Sequence, residues 1–152
     1  MEHRKLISTK ADTLFALRSL IHESVIEEMY ILQVGDYHRD KIGVCHEIMD
    51  QFRGRRIVVR SSSTAEDSFQ RSKSILDVDS SSEQEIIDAV DAVIASYRRD
   101  IHNLEEEQVL IQCQARNVML GGVVFTRDIQ SNKPYYLINY DETGSTDSVT
   151  SG

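Results

Sequence analysis

An α+β fold with mixed α/β layering is what this sequence predicts, and three observations predict it. From Glu83 to about Ile101, the residues Ile86, Ile87, Val90, Val93, Ile94, Tyr97 and Ile101 fall on one helical stripe, with Asp88, Asp91 and Arg98 off it. That is the pattern of a helix burying one face. Three short β-like runs follow, Val109 to Cys113, Val123 to Thr126 and Tyr135 to Ile138, each bounded by polar residues or glycine. Helical patterns dominate early and strand patterns late, an order that suits segregated layers better than a regular βαβ repeat.

Taken from the N-terminus, Leu14, Leu17, Leu20 and Ile21 recur at helical spacing between Lys10 and about Ile21, with Thr9 as N-cap and Asp12 three residues on. Met29 to Leu32, with Val34, reads as a strand closed by Gly35-Asp36. Ile42, Cys45, Ile48, Met49 and Phe52 mark a second helix that stops near Gly54. Ile57 to Val59 is the next strand. Ser82 with Glu85 supplies a capping box for the long helix, and beyond Ile138 the chain is polar to Gly152.

With 152 residues and 40% apolar content, the chain can bury one sizeable core, so one domain, or a large piece of one, is expected over residues 1–152. Its 25 acids against 17 bases give a net charge of −8, which disfavours a nucleic-acid surface, since such binding neutralises phosphates with a basic face. No stretch has the apolar length of a membrane span or a signal peptide, so the expected compartment is the cytoplasm. Cys45 and Cys113 lack CxxC partners and read as reduced thiols, a disulfide being the alternative. The five histidines are scattered, without the pairing of a structural metal site.

The stretch Ile57-Val58-Val59-Arg60-Ser61-Ser62-Ser63-Thr64-Ala65-Glu66-Asp67-Ser68 carries the chemistry. A short apolar strand delivers one arginine and then breaks into hydroxyls and acids. Guanidinium keeps its charge and offers a rigid fork of donors, so Arg60 among hydroxyls suits phosphate oxygens. An ordinary strand-end arginine pairing with a surface carboxylate is the plainer alternative.

Four blocks, Val58 to Ser68, Val109-Leu110-Ile111-Gln112, Gly122-Val123-Val124-Phe125-Thr126-Arg127-Asp128 and Val149-Thr150-Ser151-Gly152, together resemble one family in its own order. It is the nucleotide-binding domain of phosphoenolpyruvate synthase and pyruvate phosphate dikinase. The resemblance implies an ATP-grasp-like fold of which this chain is the N-terminal portion, incomplete. It places Lys10 at the position of a phosphate-binding lysine, with Ser8-Thr9 where the family has two glycines. It gives Arg60 contact with the phosphates and puts Gln112, with the backbone at Cys113, beside adenine. Arg127 becomes a further phosphate candidate and Asp147 an acid near the metal-nucleotide. ATP and Mg2+ are the implied cofactors, and no catalytic residue is assigned.

In the intact enzyme so implied, magnesium-ATP would phosphorylate a histidine on a mobile domain, which would pass the group to pyruvate or a related acceptor. The partners would be the nucleotide, the missing C-terminal half of the domain and the phosphohistidine domain. Two departures stand out. The loop after Ser68 lacks the family's glycine, which would let amides close over a phosphate, and the later magnesium-ligating acid and Gln-x-Arg would lie beyond Gly152. The isolated chain is therefore expected to be inactive. The alternative is a non-catalytic nucleotide-sensing or protein-interaction module. Lys10 by itself is also readable as a solvated first-turn lysine, and Gln112 as part of the core rim. Incompletely covered apolar faces make a homo-oligomer the expected state.

Overall fold

The computed structural model describes residues 8–63, 73–97, 103–128 and 130–142. In chain order it holds helix α1 (Lys10–Leu17), strand β1 (Met29–Gln33), helices α2 (Val34–Arg39) and α3 (Lys41–Phe52), and strands β2 (Arg56–Ser62) and β3 (Ser74–Asp79). Helix α4 (Glu83–Ile94), a 3-10 turn at Leu104–Glu106, and strands β4 (Gln108–Cys113), β5 (Gly121–Phe125) and β6 (Leu137–Asp141) complete it. The antiparallel pairing of all six strands makes this an α+β fold, as predicted.

The chain divides into two units, Met1–Gln114 and Ala115–Gly152. In the first, the sheet order is β1-β4-β2-β3, so the last strand in sequence lies inside, between β1 and β2. That position explains its near-continuous burial, since both faces of β4 are covered. Alternation sends Val109 and Ile111 to one face and Leu110 to the other. On the first face they meet Val44, Ile48 and Phe52 of α3 and Ile86, Val90 and Val93 of α4. On the opposite face Leu110 and Met29 pack with Ala11 and Leu14 of α1. The second unit contains the two-stranded sheet β5-β6.

Several boundaries differ from the sequence expectation, each for a local reason. Helix α1 ends at Leu17 rather than Ile21, because the amides of Leu20 and Ile21 both turn back onto the Leu17 carbonyl. Val34 donates its N–H to Glu107 O at 3.0 Å and then opens α2 instead of prolonging β1. Strand β2 runs on through Arg60, Ser61 and Ser62, since Ser61 and Ser62 still pair with Val109 and Gln108 of β4. Helix α4 stops at Ile94, with Tyr97 buried just past it and Ile101 outside the described residues. Strand β6 begins at Leu137 rather than Tyr135, whose amide closes onto Lys133 O.

The caps follow the sequence more closely. Thr9 Oγ1 accepts from Asp12 N at the start of α1. Ser82 accepts from Glu85 N, but the Glu85 carboxylate accepts from Asp79 N at 2.8 Å, so the capping box is half made. Helix α3 stops where Arg53 and Gly54 both take positive φ, 46° and 75°, a conformation glycine adopts without strain. Both cysteines are free thiols, Cys45 buried and Cys113 half-buried. Among the described residues no helix is long and apolar enough to cross a membrane.

Candidate functional site

The end of β2 and the start of α1 build one polar cluster against the middle of the sheet. Thr9 Oγ1, besides capping α1, donates to Gln108 Oε1 at 2.7 Å, and Gln108 Nε2 donates to Asp12 Oδ1 at 3.1 Å. The Ala11 amide donates to Ser62 Oγ at 2.8 Å, and the Lys10 ammonium donates to the Ser61 carbonyl at 3.1 Å. The Tyr97 hydroxyl accepts from Ser62 N at 3.1 Å and donates to the Gln108 carbonyl, bridging residues that oppose each other in the β2-β4 register. Thr9, Ser61, Ser62, Tyr97 and Gln108 are all buried. Their hydroxyls and amides must be satisfied inside the protein, and they satisfy one another.

One consequence bears on ligand chemistry. The amides of Ala11, Asp12 and Thr13 are already engaged, by Ser62 Oγ, Thr9 Oγ1 and Thr9 O. An unencumbered helix N-terminus holds anions with such amides. Here the start of α1 offers an anion its side chains instead.

Arg60 lies on the same sheet face as Leu110 and α1. Its half-buried guanidinium points toward Gln112, with Nη1 3.5 Å from Oε1, the long limit of a hydrogen bond. Among the described residues no carboxylate pairs with Arg60. Arg56, four residues earlier on the same strand, differs sharply. Its guanidinium meets Asp77 at 3.1 Å, Asp79 at 3.5 Å and Glu85 at 3.7 Å.

The structure thus brings Lys10, Arg60 and Gln112 to one region, around the β2-β4 pairing and the α1 N-terminus. The Cys113 amide is committed to the Glu28 carbonyl at 3.0 Å. Arg127 belongs to the second unit, where it is exposed and its Nη1 lies 3.5 Å from Asn132 Oδ1. Beside it, Asp128 anchors a tight turn, and hydrogen bonds from the Ser131 hydroxyl and the Gln130 amide hold its carboxyl below the usual range. Asp147 and residues 64–72, among them the stretch directly after Ser68, lie outside the described residues.

Among the described residues no group of three or more His, Cys, Asp or Glu side chains is arranged to hold a metal ion. The carboxylate nearest the cluster, Asp12, already accepts from Gln108 Nε2 and Ser8 Oγ.

Sequence reasoning missed Gln108, Ser62 and the hydroxyl of Tyr97 as builders of this cluster. Tyr97 was visible as part of the α4 stripe, but a stripe reports burial and not what a phenol bonds to. Gln108 and Ser62 flank apolar runs, where a polar residue ordinarily reads as a strand end. Comparison with protein-family models, with curated proteins and with solved structures finds no match to this chain.

Proposed function

We propose that this chain is the ATP-binding portion of a dikinase-type phosphotransferase resembling phosphoenolpyruvate synthase. Arg60 carries the reading: its half-buried guanidinium lies beside a neutral carboxamide, and no described carboxylate pairs with it. Triphosphate oxygens would engage it through bidentate, charge-assisted bonds. Lys10, held on the carbonyl next to Arg60, adds a second cation for the same anion. Gln112 offers adenine one acceptor and two donors on the same sheet face. By the resemblance alone, Arg127 is a further phosphate candidate and Asp147 an acid for the nucleotide's Mg2+. Magnesium would neutralise spreading phosphoryl charge when bound with the nucleotide.

In this reading the ATP-grasp-like chain binds nucleotide, and histidine phosphorylation and transfer to pyruvate or a related acceptor need further domains. Such chemistry belongs to the cytoplasm. A non-catalytic nucleotide-sensing module is the second reading, favoured by the engaged α1 amides, which leave phosphate recognition to flexible side chains.

Isothermal titration with magnesium-ATP tests the first claim. Saturable binding by the wild-type chain should weaken by roughly 10- to 150-fold in Arg60→Ala and Lys10→Ala, matching about 1.5–3 kcal/mol for each charged hydrogen bond. Folded protein that gives no heat with ATP removes the reading altogether. Binding that survives both substitutions moves the site elsewhere.

A further inference from the structure

Both frames that hold the Lys10 ammonium run back to Gln108. The acceptor frame is β2. Ser61 supplies the carbonyl that Lys10 Nζ reaches at 3.1 Å, and the next residue, Ser62, stands opposite Gln108 in the β2-β4 register. Tyr97 fastens the same pair, accepting from Ser62 N and donating to the Gln108 carbonyl. The donor frame is the first turn of α1. There the Gln108 side chain accepts from Thr9 Oγ1 at 2.7 Å and donates to Asp12 Oδ1 at 3.1 Å, so it grips one residue before Lys10 and one after it. Thr9 Oγ1 in turn accepts from Asp12 N, which closes a ring of hydrogen bonds around the helix start.

A carboxamide is what this ring requires. The Thr9 hydroxyl needs an acceptor and the Asp12 carboxylate needs a donor, and glutamine offers both from one flat group. Glutamate has the same length but no donor, and it would set a second carboxylate across the 3.1 Å now spanned to Asp12, where like charges repel. Gln108 is only 9% exposed, so an unmade bond there is costly. The apolar contacts of α1 on the sheet come from Ala11 and Leu14, which leaves the placement of its first turn to the polar ring.

We infer that Gln108 is a positioning residue: its carboxamide sets the first turn of α1 so that the Lys10 ammonium stands on the Ser61 carbonyl, next to Arg60. What Lys10 then does rests on the nucleotide-binding reading; where it stands rests on the geometry alone.

Acylation of lysines in the folded full chain by an N-hydroxysuccinimide ester, followed peptide by peptide in the mass spectrometer, reads that placement without nucleotide. In Gln108→Glu the Lys10 rate should rise severalfold while Lys41, tied to Asp91, keeps its rate. A variant that merely loosened the fold would speed both. Gln108→Glu combined with Asp12→Asn again sets a donor against an acceptor and should return Lys10 to its wild-type rate. Gln84→Glu, which breaks a similar bond to Asp88 on the exposed face of α4, should change neither lysine. Should Gln108→Glu lose the wild-type circular dichroism, Gln108→Met removes both bonds without adding charge and should give the same selective rise. Titration with magnesium-ATP reads the consequence. Gln108→Glu should weaken binding about tenfold, but by less than about twofold in a Lys10→Ala background, because Gln108 acts through Lys10. A wild type that binds no ATP removes the nucleotide reading, and the labelling then decides the role of Gln108 by itself. An unchanged Lys10 rate in both Gln108 variants overturns the inference. So does a rise shared equally by Lys41, a folded double variant that is not restored, or a loss of ATP affinity that adds in full to that of Lys10→Ala.

Discussion

Arg56 and Arg60 occupy one strand, yet among the described residues only Arg56 has its charge answered by carboxylates. The three acids around Arg56 are largely exposed, so Arg56→Gln should cost under about 1 kcal/mol in a urea titration. Tyr97 behaves differently, because its hydroxyl satisfies a buried amide and a buried carbonyl at once. Tyr97→Phe should destabilise the fold by about 1–3 kcal/mol in the same titration. A change near zero would mean that Ser62 and Gln108 close directly onto each other when the hydroxyl is gone. Neither effect could be read from sequence, since both depend on residues that the chain brings together from far apart.

Among the elements, α1 is held to the sheet by few apolar contacts and several polar ones. Ala11 and Leu14 reach Leu110 and Met29, while Thr9, Ala11 and Lys10 bond to Gln108, Ser62 and Ser61. Thr9→Ala removes the cap and one of those anchors and should cost about 0.5–2 kcal/mol. Hydrogen exchange should accelerate in α1 and leave α3 and α4 protected; uniform acceleration would show that α1 is not a separately anchored element. In contrast, Phe52→Ala opens the main core, where Phe52 is fully buried, and should cost about 3–5 kcal/mol, measured as a shift in denaturation midpoint. Helices α3 and α4 were readable because a long helix repeats its apolar spacing several times. Helix α2 was not, because Val34–Arg39 is too short for any period to declare itself. Strand β3 was obscured by an irregular register against β2 and by Asp77, whose φ of 59° breaks the alternation.

At the scale of the whole molecule, the titratable groups shift in two opposed directions. Burial, then a hydrogen bond to Asp91, pushes the Tyr37 hydroxyl well above its usual range, and burial with a bond to Glu47 does the same for Tyr30. Burial likewise raises the Cys45 thiol. A group whose pKa is raised by folding contributes stability that is complete below its unfolded value and lost as pH rises past it, here above about 8.5 for the thiol and about 10 for the phenols. Glu28, held down by its bond from Arg55, and Asp79, held down by the Ser81 hydroxyl and amide, act in the opposite sense. Their contribution is present above about pH 4 and fades as pH falls below it. The urea midpoint should therefore be flat from about pH 5 to 8 and drop on both sides. A midpoint that climbs beyond pH 10 would contradict the burial of the two tyrosines, and Tyr37→Phe should soften the alkaline drop.

The sequence by itself determined the α+β class, the amphipathic faces of α3 and α4, the cap at Thr9 and the stop at Gly54, because each depends on spacing or conformation within a few residues. Through its resemblance it also offered Lys10, Arg60 and Gln112 as candidate positions, which remain a proposal. Only the tertiary structure decided that β4 lies inside the sheet, that Tyr97 bridges Ser62 and Gln108, and that Arg60 faces a carboxamide while Arg56 faces three acids. The reason is physical: strand order and side-chain partners are long-range pairings, fixed by which burial and hydrogen bonding satisfy the whole chain at once.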